Sequence, residues 1–175
     1  MTASIRLVDS DDIQLLRYWR NLDHVSQRMV CKNHIDRDGQ RKWFAQLNKN
    51  TFKYFIFSIG MKDIGCVSLT KIDADGKLFE GGILCGDAHY LNHWINVWAC
   101  IKIYDYAFFD LKLDTANATI LTDNKAALSL NKSLGYKFIE EVDDCTARFS
   151  LKCSDYLISS EKIRRYLNSF AKQSI

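Results

Sequence analysis

The sequence has no proline and only eight glycines in 175 residues. Its loops must therefore be made by glycine, asparagine and aspartate. No apolar run approaches the ~18 residues of a membrane-spanning helix, so no membrane partner is expected. The opening MTASIRLVDSDD lacks the apolar stretch of a secretory signal, which leads to the expectation of a cytoplasmic protein. Cys31, Cys66, Cys85, Cys100, Cys145 and Cys153 are irregularly spaced and form no C-x-x-C pair. Reduced thiols are the expected state, rather than a disulfide framework. An excess of one charge is lacking too. The net charge is +3 and the basic residues are scattered, so no nucleic-acid partner is expected.

What is present is ample apolar material. At 47% hydrophobic, the chain can bury a sizeable core. Its length fits one domain over 1–175, with a core of about 4–153 and a C-terminal helical extension of about 159–175. The organising stretch runs from Ile95 to Tyr136 and reads as helix, strand, helix. Val97, Ile101, Tyr104, Phe108 and Leu111 share one face of a 3.6-residue period. Thr115 to Thr122 reads as a strand. Asp123 or Asn124 can cap the next helix, and Gly135 stands where a left-handed terminating residue belongs. Asn96 can cap the first helix, whose free N–H groups then face the preceding loop and any anion held there.

Before that block, Ser4–Val8 reads as a strand, and Asp9 or Ser10 as the cap of a helix ending near Trp19-Arg20-Asn21. A short helical piece follows over Asp23–Met29, and a third helix opens at Asp36 or Asp38. Thr51–Ile59, Asp63–Lys71 and Leu78–Cys85 read as strands, with Asp73–Gly76 as a hairpin turn. Gly81, Gly82 and Gly86 mark bulges or close backbone approach. After the block, Lys137–Val142 and Ala147–Cys153 form a hairpin. Ser159 or Ser160 caps a last helix with Ile163, Tyr166, Leu167 and Phe170 on one face. That stripe is expected to pack on its own domain; a homodimer contact is the alternative. The order β-α-α-α-β-β-β-α-β-α-β-β-α is a mixed pattern around one sheet.

The stretches YAFFDLKL (Tyr106 to Leu113) and DNKAALSLNKSLGYKF (Asp123 to Phe138) resemble the GNAT acetyltransferase superfamily, and the likeness runs from about Ile5 to Phe149. In the N-terminal half, Trp19-Arg20-Asn21, Val25, Met29, Ile35, Lys42-Trp43-Phe44, Tyr54–Phe57 and Ile64–Leu69 are similar to sugar-nucleotide N-acetyltransferases of the pseudaminic acid pathway. RimJ/RimL-type protein acetyltransferases share much of this. The resemblance implies an α/β (α+β) GNAT fold: a central mixed sheet of about seven strands, a splayed pair of parallel strands, flanking helices and a C-terminal helix. It implies acetyl-CoA as co-substrate, its pantetheine arm beside the fourth strand and its pyrophosphate on the following helix. The implied partner is a small-molecule amine, favoured to be nucleotide-linked.

By the same resemblance, Leu84, Cys85, Asn92, His93, Trp94, Ile95, Asn96, Val97 and Asn124 are the cofactor-binding candidates. Arg20, Met29, Gln40, Trp43 and Thr70 are the substrate-binding candidates. Arg20 can meet a diphosphate, and Met29 and Trp43 offer apolar and stacking surface; core packing is the alternative for those two. Glu80, Asn131 and Tyr136 are the catalytic candidates. Glu80 is a proton acceptor or else an exposed strand-end carboxylate, and Asp87 has the same two readings. Two departures stand out. Trp94 and Asn96 occupy positions where the family has loop glycines, and Asn131 stands where many members carry a tyrosine acid; an amide cannot play that part, so Tyr136 or water would supply the proton. Cys85, His89 and His93 are spaced four apart, but no fourth ligand is evident and no metal is expected.

Overall fold

A computed structural model describes residues 2–73, 75 and 77–172. Seven strands form one sheet: β1 (Ala3–Leu7), β2 (Lys53–Ile59), β3 (Lys62–Thr70), β4 (Leu78–Cys85), β5 (Thr115–Leu121), β6 (Lys137–Asp143) and β7 (Thr146–Lys152). Their spatial order is β1-β2-β3-β4-β5-β7-β6. Only the β4–β5 pair is parallel. The helices are α1 (Ile13–Asn21), α2 (Asp23–Ser26), α3 (Arg37–Gln46), α4 (Trp94–Asp105), α5 (Lys125–Leu134) and α6 (Cys153–Lys172). Of the expected Asp73–Gly76 turn, Ala74 and Gly76 lie outside the described residues, as does the Phe170 side chain. No helix among the described residues is long and apolar enough to cross a membrane.

Local chemistry sets the element ends. Asp9 accepts from the Asp11 amide while Asp12 accepts from the Asp9 amide, a reciprocal cap on the 3-10 turn Ser10–Asp12 that leads into α1. Asp36 caps α3 through the Gly39 amide. Asn124 caps α5, and Gly135 ends it at φ 100°. Side-chain alternation along the sheet then divides the core. Ile56 and Cys66 face α1, where Leu16 and Trp19 pack on them. Phe57, Val67 and Leu69 face the other way, into the main core with α4 and α6.

Two expectations need correction. α6 starts at Cys153, six residues before the expected cap, and Ser160 is a buried residue inside it. Tyr156 explains the early start. Its side chain is fully buried, and its hydroxyl donates to the Ile101 carbonyl (3.1 Å) and to Asp105 (2.8 Å), which requires helical register already at that point. Asn96 does not cap α4; His93 does, its Nδ1 accepting from the Ile95 amide at 3.3 Å. The β4 glycines mark close approach without any register shift. A Cβ on Gly81 would stand 2.1 Å from the Tyr104 hydroxyl, so that hydroxyl occupies the space only glycine leaves.

Candidate active site

β4 and β5 are paired only at Leu78↔Thr115, Phe79↔Ala116 and Glu80↔Asn117. From Gly81 onward β4 stays bonded to β3 while β5 continues with β7. The two parallel strands therefore part, and β4 presents an edge that no strand covers. Antiparallel alternation decides which groups lie on that edge. The Gly86 amide donates to the Ile64 carbonyl at 2.8 Å, so Gly86 faces β3. Counting back, the N–H and C=O of Cys85 and Ile83 face the gap.

A cavity of 430 Å³ fills the gap between β4, the start of α4 and α5. Of the expected cofactor-binding residues, Leu84, Cys85, Asn92, His93, Asn96, Val97 and Asn124 line it. Trp94 and Ile95 do not. Ile95 is fully buried in the core, and Trp94 packs against that core, so the indole does not plug the gap. The loop reaches α4 without its glycines because Asn92 takes the left-handed turn, at φ 61°. Asn96 fastens the loop to the helix by donating to the Tyr90 and His93 carbonyls, at 2.6 and 3.2 Å. Cys85 donates to the Asp87 carbonyl at 3.2 Å, and burial pushes its thiol up.

A second cavity, of 670 Å³, lies on the α1 and α3 side of β4. Arg20, Met29, Gln40 and Trp43 line it, as expected; Thr70 does not, its hydroxyl instead facing the Glu80 carbonyl at 3.4 Å. Met29, Ile83 and Leu84 belong to both cavities, so the two meet across β4. Arg20 donates to the Cys31 carbonyl, and its Nη1 is buried with no partner. Arg20 forms no ion pair among the described residues, and burial lowers its pKa. Gln40 is 5% exposed, and its side-chain amide makes no hydrogen bond among the described residues. Tyr54, unanticipated as a lining residue, stands edge-on to Trp43 at 5.1 Å; burial pushes its hydroxyl up to about 12.

The catalytic candidates are not brought to either cavity. Glu80 sits at the last paired position of β4 and is ion-paired to Lys71 at 2.9 Å. Asn131 spends its amide on the Ala127 carbonyl within α5 at 2.8 Å. Tyr136 is buried, its hydroxyl 2.7 Å from that of Tyr104, and burial raises its pKa well above that of a free phenol. Asp87 is paired with Lys62 at 2.5 Å, and that partner holds its carboxyl below the usual range. His89 is exposed and lines neither cavity. No group of three or more potential metal ligands occurs among the described residues. A histidine, too, escaped the sequence reading. His24, in α2, lines the donor-side cavity with its Nε2 3.1 Å from the Cys85 carbonyl oxygen. A histidine in a four-residue helix has no periodicity to announce it.

Comparison with known proteins agrees with this geometry. Residues 4–137 match the acetyltransferase (GNAT) domain family. The acetyltransferase PseH of Campylobacter jejuni (serotype O:2) is 29% identical over 143 residues, covering 78% of this chain and 84% of that protein. A structure described as apo FdhC, a nucleotide-linked sugar GNAT, superposes with a TM-score of 0.76 at 24% identity, covering 95% of each chain. Spermidine N-acetyltransferase of Vibrio cholerae, solved with CoA and spermine, superposes at 0.80 with 16% identity, covering 89% of this chain and 98% of that one. Acetyl-CoA is the acyl donor of GNAT enzymes, and an open β4 edge beside an α4 amino terminus fits its arm and its phosphates. With a matched segment spanning most of its length and a sheet opened where that donor enters, the chain belongs to the GNAT acetyltransferase family.

Proposed function

We propose that this acetyltransferase transfers the acetyl group of acetyl-CoA to the amine of a nucleotide-linked amino sugar, in the cytoplasm, for surface-glycan synthesis. The observation that carries the acceptor is Arg20. A guanidinium with a buried, unpartnered nitrogen and no carboxylate beside it is poised for an anion arriving with the substrate. The unpaired Gln40 amide and the Trp43–Tyr54 aromatic pair add a polar and an apolar surface to the same cavity, as a nucleotide requires. The curated relatives and the nucleotide-sugar neighbour support the same acceptor class.

Acetyl-CoA supplies an activated thioester. The protein's part is to place a neutral amine beside that carbonyl where the cavities meet, at Met29, Ile83 and Leu84. The edge amides of Ile83 and Cys85 are the donors placed to hold an oxyanion. No tyrosine, aspartate or glutamate lines the donor cavity among the described residues, and we assign the protonation of the departing thiolate to water. That is tolerable because a thiolate leaves readily.

The test is a thiol-release assay across nucleotide amino sugars and N-terminal peptides, with calorimetry of acetyl-CoA. Turnover of nucleotide amino sugars is expected. Turnover of peptides alone would move the enzyme to protein N-terminal acetylation. Acetyl-CoA affinity without turnover of any amine would make it a binding protein that has lost its chemistry.

A further inference from the structure

His24 has no role in the chemistry above, yet it holds a backbone acceptor that the parted strands leave uncovered, the last one of β4. The Cys85 carbonyl faces the gap, and β5 does not reach it. Left alone it would be a partly buried acceptor without a partner. His24 approaches it with Nε2 at 3.1 Å. A carbonyl can only accept, so this bond places the ring hydrogen on Nε2 whether the imidazole is neutral or charged. His93, the other histidine of the cavity, has its Nδ1 bonded to the Ile95 amide instead.

The segment carrying His24 is fastened at two points. Four residues later, the Arg28 carbonyl accepts from Asn124 Nδ2 at 3.4 Å, at the start of α5. The segment from His24 to Arg28 thus bridges the two walls of the gap, β4 on one side and α5 on the other. Val25 anchors it in between, at 3% exposure, and Met29 leads from it into the acceptor cavity. We infer that His24 is a positioning residue for the acyl donor: its imidazole replaces β5 as hydrogen-bond partner of the β4 edge and pins this strap over the donor cleft. The inference rests on the donor reading above and adds that donor affinity depends on a side chain outside the phosphate loop.

Calorimetry of free CoA, with steady-state kinetics, on His24→Ala, His24→Phe and His24→Gln tests this. Phe keeps a ring without a donor; Gln keeps a donor without a basic ring nitrogen. Expected are an increase in CoA Kd of roughly tenfold for Ala and Phe, recovery to within about threefold for Gln, and kcat at saturating donor within about threefold of wild type for all three. The donor KM should follow Kd. A modest fall in melting temperature for Ala and Phe, which leave the Cys85 carbonyl without its partner, and a smaller one for Gln would accompany this result. Wild-type affinity in His24→Phe, or no recovery in His24→Gln, would overturn the assignment. So would a large kcat loss in His24→Gln with intact CoA binding, which would make His24 a proton acceptor. Failure of the wild-type protein to bind CoA would instead sink the donor reading itself and this inference with it.

Discussion

The two cavities that meet across β4 are finished to different degrees. In the donor cleft the polar groups already serve one another. His93 and Asn124 cap their helices, Asn96 ties down its loop, and His24 bonds the β4 edge. Asn96 Oδ1 is the exception, buried without a partner. In the acceptor cavity, by contrast, one guanidinium nitrogen of Arg20 is buried without a partner, and the Gln40 amide makes no hydrogen bond among the described residues. Buried polar groups without partners cost stability. A site that bears this cost is held ready for a ligand that supplies the partners. On the proposed reading, the donor side is largely pre-organised by internal bonds, whereas the acceptor side keeps a cation for its substrate to meet.

Arg20→Ala should break the contrast most visibly. Removing the unpaired guanidinium is expected to raise the acceptor KM by roughly 30-fold or more, the size of a lost charge-assisted hydrogen bond of ~2 kcal/mol. The acetyl-CoA Kd should not move. Parallel titrations of both substrates check this, and loss of acetyl-CoA binding would show that the cavities are not separable.

Gln40→Leu sharpens the same point through its sign. Leucine fills similar volume without an unpaired amide, so the melting temperature should hold or rise. The acceptor KM should increase about five- to tenfold. A fall in stability with unchanged KM would mean that Gln40 serves the fold. On the donor side the expected effect is opposite. Asn124→Ala removes a cap worth ~1 kcal/mol, so it should lower stability and weaken CoA binding together.

The parts legible in the sequence share a local signature. Asp36, Asn124 and Gly135 announce helix ends because caps are written within four residues. Asn124 could be set beside the first cavity because it lies in a motif that carries the resemblance, and Cys85 because it ends the fourth strand. What was not legible is set by partners far along the chain. Nothing near Glu80 forecasts Lys71, nine residues away across a hairpin, and nothing near His24 forecasts a carbonyl 61 residues on. Asn96 has a good capping side chain, but His93 lies closer to where the loop turns at Asn92 and takes the position first. The early start of α6 depends on Asp105 receiving Tyr156 and Arg164, a contact 51 and 59 residues long in sequence.

Acid provides a gentler probe of the donor side. Asp87 closes the turn before α4 by accepting from the His89 amide at 2.9 Å and pairing with Lys62. Lys62 lowers its carboxyl pKa in the folded chain. A depressed folded pKa contributes stability that is complete above the unfolded value of about 3.9 and is lost as pH falls through the folded value. Down to about pH 5 the turn should therefore hold, and CoA affinity should not respond to Asp87. Asp87→Asn should leave that plateau unchanged apart from a small uniform loss, read by calorimetry at several pH values. A mid-pH step abolished by the substitution would place Asp87 in the chemistry.

The smallest effect is expected at Glu80, which the sequence offers as a proton acceptor or else an exposed strand-end carboxylate. Glu80 is at the base of the splay, but its side chain is 31% exposed and held by Lys71. An exposed pair of this kind contributes ~0–1 kcal/mol to stability. A general base, in contrast, is worth about 10²–10⁴ in rate. These magnitudes separate the two roles without any structural change. Glu80→Gln should change kcat by less than about threefold and leave both substrate affinities intact, since Glu80 lines neither cavity. A hundredfold loss of kcat would mean that the ion pair opens during turnover and frees the carboxylate. In that event the two cavities would share a proton acceptor at the point where the strands part, and the division between a finished donor side and a waiting acceptor side would no longer hold there.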